Sequence, residues 1–145
     1  MGYRSDVAIA IYGEAGQMTA FIAASRLKQN FAEVFRECEI YPYRPRPYGD
    51  VPSKPHLMLT AKFNDVKWYD GYSGVEDWMK FVGLAQEHDE SINTEFVRAG
   101  EDANDNEYEQ TGPDLEYHLG INREVYADLP PPDTDLKTLP QTAIR

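Results

Sequence analysis

An apolar run near the start of the chain constrains the fold more than any other feature. Residues 6–13, DVAIAIYG, are rich in β-forming side chains, and a glycine ends the run. Such a run is typical of a strand buried on both faces, so we predict a central strand of a sheet. From Ala15 the apolar spacing changes to three and four residues, which predicts one amphipathic helix of about five or six turns. The predicted apolar face of this helix consists of Ala20, Ala24, Leu27, Phe31, Val34 and Cys38.

The segments that follow predict the remaining elements of one domain. Residues 41–55 contain five prolines, which favour an extended loop of polyproline II character. The runs HLMLTAKF and VKWY flank Asn64-Asp65 and predict a hairpin. Ser73 and Glu76 have the spacing of a capping box, which predicts that a helix begins there, and INTEFVRAG at 92–100 predicts another strand.

The resulting element order is β-α-β-β-α-β, which is typical of a two-layer, ferredoxin-like α+β fold with its core at 5–100. The alternating patterns of NEYEQ and DLEYHLG add an acidic antiparallel β extension at 101–129, to which INREVYADL adds a further strand. The pattern places Leu115, Tyr117 and Leu119 on the buried side of this strand, and Glu116 and His118 on its solvent-exposed side. We therefore predict a single domain at 1–129 and an extended or disordered proline-rich tail at 130–145.

The negative charge of the chain is concentrated in one segment. The net charge is −11, and residues 87–128 hold 13 acidic residues against the bases Arg98 and Arg123. The rest of the chain has 12 acids and 12 bases, which cancel. Direct nucleic-acid binding by the acidic segment is disfavoured, because phosphates would be repelled. We use the name acidic ridge for Glu101, Asp102, Asp105, Glu107, Glu109, Asp114 and Glu116.

No motif in the chain indicates catalysis, a metal or a cofactor. The three histidines lack the spacing of metal ligands, and the one cysteine, Cys38, lies on the apolar face predicted for the first helix. Residues 102–106 imitate the first ligands of an EF-hand loop, but Glu107 and Pro113 stand where glycine and the bidentate glutamate are required. There is neither a signal peptide pattern nor a membrane-length apolar run. We expect a non-enzymatic, cytoplasmic protein.

The acidic ridge is the predicted partner-binding surface. Alternate carboxylates on a strand point the same way, roughly 6.7 Å apart, and a neighbouring strand such as that of Glu116 lies roughly 4.8 Å away. This spacing is comparable to that of the DNA charges, which follow one another at about 3.4 Å of axis per strand. The ridge, with Tyr108 and Tyr117 for stacking or apolar contact, is expected to occupy a basic nucleic-acid-binding groove. The alternative is a solvated face that keeps the protein soluble.

A second segment combines aromatic and basic residues with proline. Its candidate binding residues are Tyr41, Tyr43, Arg44, Arg46 and Tyr48. Aromatic and arginine side chains are common at the energetic centres of interfaces. The competing interpretation, which we favour, is an ordered crossover whose tyrosines cover the edge of the sheet.

The first 13 residues, MGYRSDVAIAIYG, resemble the start of small proteins encoded by tailed bacteriophages, most of which have no assigned function. The resemblance implies a non-structural early protein in the cytoplasm of a bacterial host. Small acidic phage proteins often act as inhibitors, some of them by imitating DNA, so the expected partner is a host nucleic-acid-binding protein, with DNA gyrase as one candidate. Two alternatives stay open: a structural or homo-oligomeric phage protein, such as a homodimer, and a small-molecule-binding or enzymatic domain with a cleft beside YGEAG at 12–16.

Overall fold

The computed structural model describes residues 2–47, 49–113, 118–122 and 124–133. A five-stranded antiparallel sheet has the order β2-β3-β1-β4-β5, and β6 pairs with β7 in a separate two-stranded sheet. The strands are β1 (Ser5–Glu14), β2 (Glu39–Tyr43), β3 (His56–Val66), β4 (Asn93–Gly100), β5 (Asn106–Thr111), β6 (Leu119–Asn122) and β7 (Glu124–Ala127). The helices are α1 (Ala15–Arg26), a 3-10 turn (Gln29–Phe31), α2 (Ala32–Glu37) and α3 (Ser73–His88). The predicted α+β class is confirmed.

The central strand of the sheet is β1, as the sequence predicts. Its side chains alternate between two covered faces. On the helix face, Val7, Ile9 and Ile11 join the core formed with the helices. On the opposite face, Ala8, Ala10 and Tyr12 pack with Leu119 of β6. We call this the hairpin face, after the paired strands β6 and β7. Burial on both faces accounts for the continuous apolar run.

The single long helix predicted from Ala15 is wrong, because α1 ends at Arg26 and a 3-10 turn precedes α2. The predicted face fails in its first half: Ala20, Ala24 and Leu27 are exposed. The side chains that α1 buries are Met18, Phe21, Ile22 and Ser25. Lys28 has an extended backbone, and the changed phase buries Phe31 and Val34. We attribute the break to aromatic burial, since Phe31 packs edge-on against Phe81 in the core.

The predicted hairpin at Asn64-Asp65 is also wrong, because β3 continues through both residues to Val66. Between the pairs Ser5–Val66 and Val7–Phe63 the register shifts, so the two residues form a bulge. Asp65 has a φ of 54°, and its amide donates to Asp6 Oδ1 at 2.9 Å. Asn and Asp tolerate the left-handed region both in tight turns and in bulges, which explains why the local signal misled.

Two further boundaries differ from the prediction. Residues 41–43 belong to the edge strand β2 and pair with β3, so the extended loop begins only after Tyr43. An edge strand tolerates Pro42, which has no amide to donate. The helix predicted to begin at Ser73 and the strand predicted at 92–100 are confirmed as α3 and β4. The predicted capping box is wrong, because the N-cap of α3 is Tyr72 and makes no side-chain cap hydrogen bond.

The residues after β4 extend the structure in two directions. The strand predicted for NEYEQ is confirmed as β5, at one end of the main sheet. The chain then crosses the hairpin face as β6 and β7, while residues 114–117 lie outside the described part. His118 is buried, contrary to its predicted place on a wet face. Pro130 accepts a hydrogen bond from the Tyr41 hydroxyl, and 134–145 lie outside the described part. Among the described residues, no helix combines the length and apolarity needed to cross a bilayer.

Candidate functional site

Five residues of the acidic ridge are described, and all lie on the edge strand β5 of the main sheet or in the turn that leads into it. Glu101, Asp102 and Asp105 belong to the turn after β4, and Glu107 and Glu109 belong to β5. Asp105 is half-buried and the other four are exposed. The predicted site residues Asp114, Glu116 and Tyr117 lie outside the described part of the chain. The strand that neighbours Glu107 and Glu109 is therefore β4 in the described structure.

Arg98 of β4 binds two acids of the ridge. Its Nη2 lies 2.5 Å from Asp105 Oδ1, and its Nε donates to Glu107 Oε1 at 2.9 Å. Its Nη1 also donates to Ser5 Oγ at 3.0 Å, and the side chain is only 10% exposed. The sequence suggests an unopposed row of carboxylates, because no base lies between residues 99 and 122. The sheet register supplies the missing base from the neighbouring strand.

The N-terminal segment holds the turn of the ridge in place. The Tyr3 hydroxyl donates to Asp105 Oδ2 and accepts from the Asp102 amide, both at 2.9 Å. The Arg4 amide donates to Glu101 Oε1 at 2.8 Å. A Cβ on Gly100 would overlap Asp105 Oδ2 and the Tyr3 hydroxyl oxygen, so a larger residue there would force these two side chains to shift. The acids of this turn thus have a structural role in addition to their charge.

The glutamates and the tyrosine of β5 point to opposite faces of the sheet. Glu107 pairs with Arg98 and Glu109 pairs with Phe96, which places both carboxylates on the helix face. Tyr108 is opposite Val97 on the hairpin face and is 61% exposed. Tyr108 therefore does not share a face with the carboxylates, although all are accessible from the edge of the sheet. Glu109 makes no hydrogen bond or ion pair within the described residues.

A cavity of about 500 Å³ lies on the helix face beside the ridge. Its walls combine aromatic side chains with carboxylates around the Arg98 guanidinium. The lining residues are Tyr3, Trp68, Tyr69, Asp70, Met79, Phe96, Arg98, Asp105, Glu107 and Glu109. We call this cavity the edge pocket. It connects the ridge to the loop before α3, a contact that the sequence pattern does not indicate.

The Arg98 pairs shift the proton affinity of both partners. Hydrogen bonds from Arg98, and then from Tyr3, hold the pKa of the Asp105 carboxyl below its ordinary value of 3.8. Hydrogen bonds to Asp105, and then to Glu107, raise the pKa of the Arg98 guanidinium. Both shifts favour the charged forms, so the pair is ionised at neutral pH.

We expect Asp105→Asn to reduce the acid sensitivity of the fold. A carboxyl whose folded pKa is depressed stabilises the native state above its unfolded pKa, and this stabilisation is lost as the pH falls through the folded pKa. Wild-type urea midpoints between about pH 6 and pH 3 should therefore fall further than those of the variant. A difference in midpoint that is the same at every pH would contradict a depressed Asp105 pKa.

A buried carboxylate on the hairpin face links three strands. Glu95 of β4 is 3% exposed, and its Oε2 accepts from the Tyr12 hydroxyl at 2.7 Å. Its Oε1 accepts from the amides of His118 at 2.8 Å and Leu119 at 3.1 Å. The carboxylate thus joins β1, β4 and the start of β6. Sequence reasoning misses this role, although an acid inside a strand buried on both faces is itself a signal that a partner exists.

The two described tyrosines of the second candidate segment, Tyr41 and Tyr43, face inwards. Tyr43 is 2% exposed in the hairpin-face core, and burial raises the pKa of Tyr41 to about 12. Arg44 donates to Asp133 at 3.1 Å and to the Ser53 carbonyl at 2.8 Å. Arg46 is exposed. Tyr48 lies outside the described residues. This arrangement favours the interpretation in which the tyrosines cover the edge of the sheet, since three of the four described candidates, Tyr41, Tyr43 and Arg44, make contacts within the fold.

Two other features of the sequence have clear structural places. The Ala15 amide within YGEAG donates to the Pro55 carbonyl at 3.0 Å, so the loop before β3 lies against that turn. A cavity of about 880 Å³ lies elsewhere, between α2 and residues 63–78, with Phe63, Trp68 and Trp78 among its walls.

Burial raises the pKa of the Cys38 thiol to about 11, which keeps it protonated at neutral pH.

Comparison of the chain with protein-family models, curated proteins and solved structures found no match. Function is therefore inferred from the geometry and charge of the sites described above.

Proposed function

We propose that this chain is a non-enzymatic binding protein whose acidic ridge occupies the basic nucleic-acid-binding groove of another protein. The ridge would exclude DNA from that groove and so inhibit the partner. The resemblance of the first 13 residues to phage proteins suggests a bacterial host protein in the cytoplasm as the target, with DNA gyrase as one candidate. The chain itself would bind neither nucleic acid nor membrane.

One observation carries this proposal: the ridge keeps its negative sign after its internal contacts are counted. Among the described residues, Arg98 is the one base whose side chain contacts a ridge acid; it binds Asp105 and Glu107 and compensates one charge. The exposed carboxylates lie along a sheet edge, where a partner can reach them. The Arg98 and Tyr3 contacts also hold the turn rigidly, which reduces the entropy lost on binding.

The experiment that tests the proposal measures competition with DNA. A labelled duplex is bound to purified DNA gyrase, or in parallel to a repressor that reads DNA through a basic surface, and the protein is titrated in. We expect release of the duplex at about 50 mM salt and much weaker competition at about 200 mM, because counterion release dominates such contacts. The proposed function would be overturned if the protein released the duplex from neither target at low salt.

We also infer that residues 5–100 adopt the ferredoxin-like arrangement. The support is that β3 separates β1 from β2, and β1 separates β3 from β4, so that two βαβ units interlock in an antiparallel sheet. The helices α1, α2 and α3 contribute to one core on one face of this sheet.

Small-molecule binding is a second candidate function. It is favoured by the cavity of about 880 Å³, whose size and aromatic walls are typical of ligand sites. The place differs from the cleft beside YGEAG that the sequence suggests, because residues of α2 and the loop before α3 form it.

A further inference from the structure

We propose that the edge pocket takes a lysine or arginine side chain from an extended segment of the partner, and that this segment pairs with β5 as an added strand. This inference rests on the proposed function, since it specifies the chemistry by which the acidic edge recognises a protein. It narrows that function, because it specifies an extended basic segment as the part of the partner that the edge recognises.

The walls of the edge pocket suit a cationic group on an aliphatic stem. Trp68 and Tyr69 supply aromatic surface on the side of the loop before α3, and the buried Phe96 of β4 packs against Trp68. A cation near an aromatic face gains electrostatic attraction, while its stem gains apolar contact. The volume of about 500 Å³ is ample for one long side chain.

The charge of the pocket also favours a cation. Four carboxylates line it, from Asp70, Asp105, Glu107 and Glu109, against the single Arg98 guanidinium. Asp105 and Glu107 bind Arg98, so two of these carboxylates offset its single positive charge. Asp70 and Glu109 are exposed and make no hydrogen bond or ion pair within the described residues. These two carboxylates are the ones available to the ligand.

The edge of β5 provides the backbone half of the site. β5 is the last strand of the sheet, and within the described part of the chain its outer edge pairs with no strand. An added strand would make main-chain hydrogen bonds there, with alternate side chains on opposite faces. Residues on one face would meet Glu107, Glu109 and the edge pocket, and the residue between them would meet Tyr108.

The same charges argue against a second copy of this chain on the edge. Pairing of β5 with its own copy would bring Glu107 and Glu109 of both copies to a common face, and like charges across a strand pair are destabilising. A strand with lysine or arginine at alternate positions would instead face opposite charges. Charge complementarity therefore selects a basic extended segment.

The test uses a labelled peptide, Lys-Val-Lys-Val-Lys, and three matched comparisons measured by fluorescence anisotropy with the whole protein. The first comparison replaces each lysine of the peptide by glutamine. The second keeps the lysines but methylates every backbone nitrogen, which removes the amide donors needed for strand pairing. The third uses the protein variant Asp70→Asn with Glu109→Gln. We expect each change to weaken binding by about tenfold or more.

The matched protein control is Glu87→Gln with Glu90→Gln, which removes the same charge from exposed positions before β4, at the opposite end of that strand from the ridge. We expect this control to bind the peptide within about twofold of wild type, since the edge pocket is unchanged. The inference is overturned if the control and the pocket variant weaken binding equally. It is also overturned if the methylated or the glutamine peptide binds as well as the original.

The outcomes separate this inference from the proposed function. If the peptide binds as expected but the protein releases no DNA from either DNA-binding target, the pocket inference stands and the DNA-competition function fails. If wild type and the Asp70→Asn, Glu109→Gln variant release DNA equally and the peptide does not bind, the pocket inference fails while the proposed function stands.

Discussion

Replacement of Glu95 by alanine is expected to lower the free energy of unfolding by about 3–4 kcal/mol. The substitution would remove the carboxylate that accepts hydrogen bonds from three buried donors: the Tyr12 hydroxyl and the amides of His118 and Leu119. Unsatisfied buried donors retain the full cost of their desolvation, and hydrogen bonds to a charged group are among the strongest in proteins. The midpoint and slope of urea unfolding, monitored by circular dichroism, give the change.

Hydrogen exchange locates the effect. Because Glu95 links β4 to the start of β6, the amides of His118 and Leu119 should exchange much faster in the alanine variant than in wild type. The matched control is Glu95→Gln, whose side-chain carbonyl can still accept from the two amides, and we expect a smaller loss of stability. A Glu95→Ala protein within about 1 kcal/mol of wild type would contradict the anchoring role of this carboxylate.

Replacement of Glu107 by glutamine together with Glu109 by lysine is expected to weaken competition with DNA by about 30-fold at low salt. The change removes three units of negative charge from the exposed edge, and loss of a few exposed pairs is worth about 2 kcal/mol. Glutamine is chosen at 107 because it can still accept from Arg98 Nε, whereas lysine would place a second cation beside a nearly buried guanidinium. Glu109 has no such contact, so lysine there should leave the fold intact.

The control variant carries the same charge change at the other end of β4. Glu87→Gln with Glu90→Lys alters exposed residues at the end of α3 and in the turn before β4. We expect it to compete with DNA nearly as well as wild type at the same salt concentration. Equal weakening by both double variants would indicate that net charge, rather than the acidic ridge, governs the competition. Far-ultraviolet circular dichroism of each variant verifies that the fold is retained.

Local patterns in the sequence predict the elements that depend on local periodicity. The buried strand β1, the helix α3 and the strands β4 and β5 each lie where their patterns indicate. Alternation predicts correctly that Glu107 and Glu109 share a face, because side chains two apart on a strand point the same way. The break after Arg26 is different, since its cause is the packing of Phe31 against Phe81 on a distant helix.

The candidate site was predictable in its charge and in the shared face of Glu107 and Glu109, but not in its contacts. The segment after β4 is acidic by composition, but composition does not show that Arg98 compensates part of the charge or that Tyr3 fixes the turn. The Asn64-Asp65 signal is compatible with a turn or a bulge, and the pairing of β1 with β3 selects the bulge. A turn would end the strand and expose the helix-face core around Phe63, which is why the bulge prevails.

The sequence by itself determined the type of most elements and the sign of the charge at the sheet edge. Both properties follow from residues within a few positions of one another, where backbone geometry fixes which side chains share a face. The tertiary structure alone decided which acids are free and which are structural. Glu95 meets Tyr12 from 83 residues away and Tyr3 meets Asp105 from 102 residues away. Such contacts depend on sheet register and chain crossing, which only the packed core determines.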